Sequence, residues 1–267
     1  MELEGREMRQ DNDHRMPQGS LEAGPQAAAD LSAEREAFTR SLLRWQSESP
    51  TYGAALPATP AANTASPAQA LREIIRVAGA RTAPWEGAQL ASVARASHAQ
   101  GRWPEQEAVF FTQVPLMNVI GHAIEERIIA ERRPCDVYAG FQRLALVRPQ
   151  LRRYRALADV ARYVYLYGID DAPGDAEIRG LGPRSTLRFA IRPELGTDLE
   201  HFWFVVVDDP RMPTALLAQH TDGDLWSPRQ ATRSFTGIWT FDPALVAGII
   251  AALRRAARTL YYGVPLA

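Results

Sequence analysis

Between residues 105 and 170 the sequence alternates between strand-like and helix-like apolar patterns, and this alternation constrains the fold more than any other feature. Strand-like composition occurs in "AVFFTQ" (108–113), "CDVYAGFQ" (135–142) and "RYVYLYGI" (162–169). The two segments between these runs repeat apolar residues at a helical period. Because strands joined by helices form parallel pairs, the sequence predicts a parallel sheet here.

The C-terminal half has a different pattern. Four short strand candidates, "TLRFAIR", "HFWFVVVDD", "TALLAQHT" and "GIWTF", are joined by short segments rich in Pro, Gly and Asp. Such turns favour antiparallel pairing. The predicted fold class is therefore α/β, a mixed sheet with parallel N-terminal strands, antiparallel C-terminal strands and flanking helices.

Three sections are predicted along the chain. Residues 1–66 form a disordered tail with a short helix and a Pro/Ala-rich linker, because their composition cannot bury a core. Residues 67–104 contain two helical patterns and form a helical lead-in. Residues 105–267 form the mixed α/β domain.

The chemistry open to the chain is limited by its basic residues, which are thirty Arg and no Lys. The absence of Lys excludes a Schiff-base lysine, and therefore pyridoxal phosphate or retinal bound covalently to this chain. It also excludes a Walker A lysine and the strand lysine of kinases. No dinucleotide fingerprint, nucleophile elbow or zinc motif occurs, so the sequence predicts a protein that is not an enzyme.

Charge and hydropathy limit the partners. The formal net charge is −1 and the pI is near 6.5, which gives no global attraction to nucleic acid or to an anionic membrane. No apolar run is long enough to span a bilayer, and the polar N-terminus lacks a secretory signal. Cys135 is the one cysteine, which fits a reducing compartment. We expect a cytoplasmic protein without direct membrane or nucleic-acid binding.

The helical segment "NVIGHAIEE" carries the first candidate site residues. His122 and Glu126 are spaced i, i+4, so they share a helix face, and Glu125 lies within the same turn. These groups could form an acid/base pair if they face a cleft. The alternative is a solvent-facing pair. Because no second ligand motif occurs, we predict no metal site.

Two further candidate pairs follow strands. Gln142 and Arg143 end a predicted parallel strand, and ligands gather at the carboxyl ends of such strands. Trp239 and Thr240 lie near the end of the last strand, "SFTGIWTF". We expect the three helix residues to lie near Gln142 and Arg143 at one crevice, with Trp239 or Thr240 close by. Asp242, which precedes Pro243 and a long apolar helix, is interpreted as an N-cap rather than a catalytic acid.

Five segments, "IGHAIEE", "YAGFQR", "RRYRALA", "EHFWFVVVDD" and "SFTGIWTFDPALV", resemble in this order the DICT sensory domain of bacteria. The resemblance covers residues 105–260. It implies a sensory domain in environmental signalling, which domain association has linked with light. The implied partner is an unknown small ligand or a signalling protein of the diguanylate cyclase or two-component type. Cofactor identity and homodimer formation stay open.

Two functions are therefore compared. The first is a non-catalytic sensory domain that binds a small ligand or a partner, and the second is a small enzyme that uses His122, Glu125 and Glu126. A sensor pocket could be mostly aromatic, whereas an enzyme site would need polar groups that converge in a deep pocket. The lack of an enzyme motif and the resemblance both favour the sensor.

Overall fold

The computed structural model describes part of the unit Thr51–Ala267. The described residues are 66–81, 84–85, 87–100, 108–171, 175–181, 186–193, 197–222, 225 and 233–262. The predicted tail, short helix and linker lie outside the described residues, except for Ser66.

The described helices and strands alternate through most of the chain. The α-helices are α1 (Pro67–Gly79), α2 (Gly87–Gln100), α3 (Val114–Glu131), α4 (Leu151–Ala158), α5 (Ala176–Arg179) and α6 (Pro243–Tyr262). The strands are β1 (Pro84–Trp85), β2 (Ala108–Gln113), β3 (Asp136–Arg143), β4 (Tyr163–Ile169), β5 (Thr186–Ala190), β6 (Phe202–Asp208), β7 (Thr214–Asp222) and β8 (Ser234–Thr240). Two 3₁₀ segments lie at Leu144–Gln150 and Leu199–His201.

The eight strands form one mixed sheet in the order β1-β2-β8-β7-β6-β3-β4-β5. The pairs β1–β2, β3–β4 and β4–β5 are parallel, and the other four pairs are antiparallel. The predicted fold class is confirmed. The strand β1 was not predicted.

One expectation about strand neighbours is wrong. The prediction that β2 and β3 are parallel neighbours fails, because β8, β7 and β6 lie between them. The strand pairings show that β6 and β8 run antiparallel to the other six strands. The six parallel strands therefore end at one edge, which we call the carboxyl edge. The opposite edge, where β3 begins, is the amino edge.

Helices cover both faces of the sheet. On one face α2, α3 and α4 pack over a core that includes Ile120, Ile124 and Leu157. On the other face α6 packs with α1 over the sheet, and Tyr167 of β4 donates a hydrogen bond of 3.2 Å to the carbonyl of Leu253. Because both faces are buried, strands such as β6 are nearly continuous apolar runs.

The two helices of this second face begin with side-chain caps. Ser66 and Gln69 form a capping box at the start of α1. At the start of α6, Asp242 Oδ1 accepts a hydrogen bond of 2.8 Å from the amide of Ala244, and Pro243 holds the first helical position. The interpretation of Asp242 as an N-cap is confirmed.

Candidate functional site at the carboxyl edge

A depression opens between α3, the start of α4, β3 and β6, near the carboxyl edge. Its lining is Asn118, Gly121, His122, Glu125, Phe141, Gln150, Tyr154, Trp203, Phe204 and Val205. It holds about 220 Å³ of space, open solvent included. Because this volume includes open solvent, the depression is shallow, and its enclosed space is about that of one water molecule.

Aromatic rings form much of the lining. The rings of Phe141 and Tyr154 meet edge to face with their centroids 5.2 Å apart, and both residues are buried. Trp203 is only partly buried. It therefore offers an aromatic surface that a ligand could cover. Asn118 and Gln150 add amide groups that can donate and accept hydrogen bonds.

Glu125 is the one acidic residue of the lining, and its carboxylate is held by neighbours. The Tyr154 hydroxyl donates a hydrogen bond to Glu125 Oε1, and Arg153 Nε lies 2.6 Å from Oε2. Burial raises the pKa of Glu125, and Arg153 and the Tyr154 hydrogen bond oppose that rise. Arg153 also donates a hydrogen bond of 2.5 Å to Gln150 Oε1. These contacts make Glu125 part of a network between α3 and α4.

His122 and Glu126 differ from Glu125 because both are partly exposed. Burial lowers the pKa of His122, Arg153 lowers it further, and Glu126 raises it. At neutral pH the imidazole is therefore uncharged, so it can donate at one nitrogen and accept at the other. His122 and Glu125 both line the depression, as expected, whereas Glu126 is not among the lining residues.

Gln142 and Arg143 lie at the carboxyl edge but outside the lining. Arg143 Nε donates a hydrogen bond of 2.7 Å to Asp171 Oδ2, and Asp171 Oδ1 accepts one of 2.9 Å from the amide of Ala145. Arg143 therefore ties the end of β3 to the segment after β4. The carboxylate opposite it is Asp171 rather than Glu125 or Glu126.

Gln142 belongs to a separate group of polar residues at the carboxyl edge. Its Oε1 accepts a hydrogen bond of 2.9 Å from Nη1 of the buried Arg233, which also donates to the carbonyl of Leu225 at 3.0 Å. Arg233 also lowers the pKa of His220 on β7, after the larger effect of burial. We call Gln142, His220 and Arg233 the edge cluster.

Trp239 and Thr240 do not lie beside the other candidates. The strand β8 is three strands from β3, which is roughly 14 Å at the usual spacing. The strand β8 also runs antiparallel to β3, so Thr240, at the end of β8, lies at the amino edge. Trp239 is fully buried in the core, and the Thr240 hydroxyl accepts a hydrogen bond of 3.1 Å from the amide of Asp242. The expectation that Trp239 or Thr240 lies close to the other candidates is therefore wrong.

Sequence reasoning missed several residues of this edge. The residues that were not among the candidates are Gln150, Arg153, Trp203, His220 and Arg233. Trp203 and His220 do lie in predicted strands. Their position at the carboxyl edge could have been predicted only if the directions of those strands had been known. Arg233 and Gln142 are 91 residues apart in sequence, and no local pattern relates them.

Three other sequence features have a place in the structure. Cys135 is buried, and burial raises the pKa of its thiol to about 12, so it is not a thiolate at neutral pH. The described residues contain no group of three or more His, Cys, Asp or Glu that could hold a metal ion. Among the described helices, none has the length and apolar content needed to cross a membrane.

The depression lies near the carboxyl ends of the strands, which is where ligands of open α/β sheets generally bind. Residues 91–221 match the family model DICT, described as the sensory domain in diguanylate cyclases and two-component system. This match confirms the resemblance seen in the sequence. No curated protein and no solved structure matches the chain.

The matched range differs from the range of the resemblance. It begins inside α2 and ends at Thr221 of β7, so β8 lies beyond it. In the fold, β8 pairs with both β7 and β2, and a Cβ on its Gly237 would come within 2.4 Å of the Leu217 carbonyl oxygen. The close approach explains why the "F-x-G-x-W" segment needs glycine at this position.

Proposed function

We propose that this chain is a non-catalytic sensory protein of bacterial signal transduction and that the depression beside α3 binds its small ligand. The composition of the lining carries the proposal. Three aromatic side chains, those of Phe141, Tyr154 and Trp203, surround a few hydrogen-bonding groups. This combination favours a small planar molecule that stacks on the partly exposed Trp203, above the buried Phe141 and Tyr154, and forms a few directed hydrogen bonds.

The charge balance of the lining supports a ligand without net charge. Glu125 is paired with Arg153, and His122 has a lowered pKa. The other polar groups of the lining are the amide of Asn118, the amide N–H of Gln150, whose Oε1 accepts from Arg153, and the neutral imidazole. A neutral ligand would leave the pair between Glu125 and Arg153 intact.

The alternative of a small enzyme has less support. An acid/base mechanism on α3 would need Glu125 free to exchange a proton with a substrate. Its carboxylate instead contacts both Tyr154 and Arg153, and only 2 % of the residue is exposed. His122 alone would then have to supply the chemistry.

The output that we propose is a diguanylate cyclase or a two-component protein in the cytoplasm, in keeping with the description of the family. The input is an environmental signal, and light is one candidate. A chromophore would be held without a covalent bond to Cys135, because that buried thiol is protonated at neutral pH.

The test is purification of the full chain from its native host, followed by an absorption spectrum and mass spectrometry of co-purifying small molecules. Gly121→Leu should abolish co-purification, because a Cβ at Gly121 meets nothing closer than 3.5 Å and the added side chain would fill the depression. The matched control is Gly79→Leu, where a Cβ has no neighbour within 4 Å. Equal ligand content in wild type and Gly121→Leu would refute the site.

A further inference from the structure

We propose that Gln150 selects the ligand of the depression by donating a hydrogen bond to it, so that the ligand carries an acceptor, either a carbonyl oxygen or an aromatic ring nitrogen. This inference rests on the proposed function, because it names the chemistry of the ligand at the same depression. Gln150 lines the depression and is partly exposed. Asn118 and His122, which also line it, can each donate and accept, so they do not restrict the ligand in this way.

The orientation of the Gln150 amide follows from its contact with Arg153. Nη2 of Arg153 donates a hydrogen bond of 2.5 Å to Gln150 Oε1. A guanidinium has N–H donors and no acceptor, so the Gln150 atom that faces it must be the carbonyl oxygen and not the NH2 group. The NH2 group lies on the other side of the amide, away from this contact. What Gln150 can offer a ligand is therefore a donor.

Arg153 is itself held in place by Glu125. Its Nε lies 2.6 Å from Glu125 Oε2, and only 2 % of Glu125 is exposed. If Arg153 turned away, a buried carboxylate would lose its cation, which is strongly destabilising. Because Arg153 stays with Glu125, the Gln150 oxygen stays with Arg153, and the donor orientation of the amide is fixed.

The NH2 group of Gln150 is not used by the described fold. Gln150 stands at the N-cap position of α4, yet its side chain makes no capping hydrogen bond to that helix. Among the described residues, the contact with Arg153 is the one hydrogen bond of this side chain. A partly exposed donor that borders the depression is therefore available to a ligand.

The test compares three planar bicyclic molecules on the full chain at pH 7.5. Quinoline carries a ring nitrogen as its acceptor, coumarin carries a carbonyl oxygen, and naphthalene carries no hydrogen-bonding group. Affinities are measured by NMR titrations that observe the probe. Because the three molecules differ in hydrophobicity, the readout is the ratio of the quinoline or coumarin affinity to the naphthalene affinity, and the change of that ratio on substitution.

Gln150→Met removes the donor and keeps the length of the side chain. The ratio for quinoline, coumarin or both should fall about fivefold, the typical net value of one neutral hydrogen bond, and the naphthalene affinity should stay within twofold of wild type. A fall for one probe alone would assign the acceptor and support the proposal. Gln150→Glu should give at least the same fall, since its carboxylate keeps the contact with Arg153 but has no N–H. It decides the question if Gln150→Met does not fold.

Substitutions of Arg153 test the orientation of the amide. Arg153→Lys keeps a cation that only donates and should hold the ratios within twofold of wild type. Arg153→Met frees the amide to turn and should lower them. The control is Gln69→Glu at an exposed position of α1, which should leave every ratio within twofold of wild type.

Unchanged ratios in both Gln150 variants, or an equal loss of all three probes, would overturn the proposal. Gly121→Leu separates this failure from a failure of the depression itself, because it should abolish binding of every probe. Probes that bind Gly121→Leu as well as wild type would refute the depression and, with it, the role of Gln150. A wild-type chain that binds none of the three would do the same.

Discussion

The two edges of the sheet differ in what lies beside their charged pairs. At the amino edge, carboxylates pair with arginines: Asp136 with Arg162 at 2.6 Å, and Asp209 with Arg133 at 3.0 Å. At the carboxyl edge, Arg143 and Arg153 also pair with carboxylates, and the second of these pairs borders the depression that contains the partly exposed Trp203.

We expect the two edges to differ in function. Paired charges satisfy each other, so the amino edge needs no further partner to be stable. At the carboxyl edge, the partly exposed ring of Trp203 can stack with the ring of a ligand. This ring lies where ligands of α/β sheets generally bind. Changes at the amino edge should therefore affect stability alone.

The largest expected effect is that of Trp239→Ala. The ring is fully buried toward the amino side of β8, so its loss should lower the free energy of unfolding by about 3–5 kcal/mol. Denaturant unfolding of the full chain measures this loss. Ligand binding by the remaining folded protein should stay unchanged, since Trp239 lies three strands from β3. If Trp239→Ala is fully folded under the assay conditions and still does not bind, the separation of the two edges is contradicted.

Asp136→Asn tests the amino edge with a single isosteric change. Asp136 is 5 % exposed, and the substitution would leave Arg162 without its charge partner. Because the Arg162 side chain is 56 % exposed, solvent screens the pair, and we expect a loss of only about 1–2 kcal/mol. The ligand content of the folded variant should equal that of wild type. A lower ligand content would contradict the contrast between the edges.

The sequence predicted the elements better than their arrangement. Periodicity located β3, α3 and β4 because each pattern reflects burial of a local segment. Strand order was less accessible, since the insertion of β8, β7 and β6 between β2 and β3 depends on contacts between distant segments. The same limit applies to the sites. His122 and Glu125 were found on one helix, whereas the contact of Gln142 with Arg233 exists only after the sheet has formed.

A smaller effect is expected from pH through His122 in the depression. Burial and the nearby Arg153 lower its pKa in the folded state below the ordinary 6.5, against a smaller opposite effect of Glu126. At pH values between the folded and the unfolded pKa of His122, the unfolded chain therefore binds more protons than the folded chain. The contribution of neutral His122 is therefore present above pH 6.5 and is lost as the pH falls.

Replacement of His122 by Gln removes this titration. Between pH 7.5 and 5, wild type should lose up to about 1 kcal/mol relative to His122→Gln, because the ring is only partly buried. Urea midpoints at several pH values measure the difference. A difference that does not change with pH, or that grows in favour of wild type at low pH, would contradict the neutral imidazole in the depression.

The smallest expected effect is that of deleting residues 1–65, which should shift the thermal midpoint by no more than a few degrees and leave both edges intact. The described fold begins at Ser66, whose capping box starts α1. From there Leu71 and Ile75 of α1, and Leu90 and Ala94 of α2, are buried against the domain.

Deletion of residues 1–66 should cost about 1 kcal/mol more, because it removes the cap. Deletion of residues 1–104 should expose the core and prevent stable folding. A large loss from the first deletion would show that the tail and linker contribute to the domain, and a stable product of the last would show that α1 and α2 are dispensable.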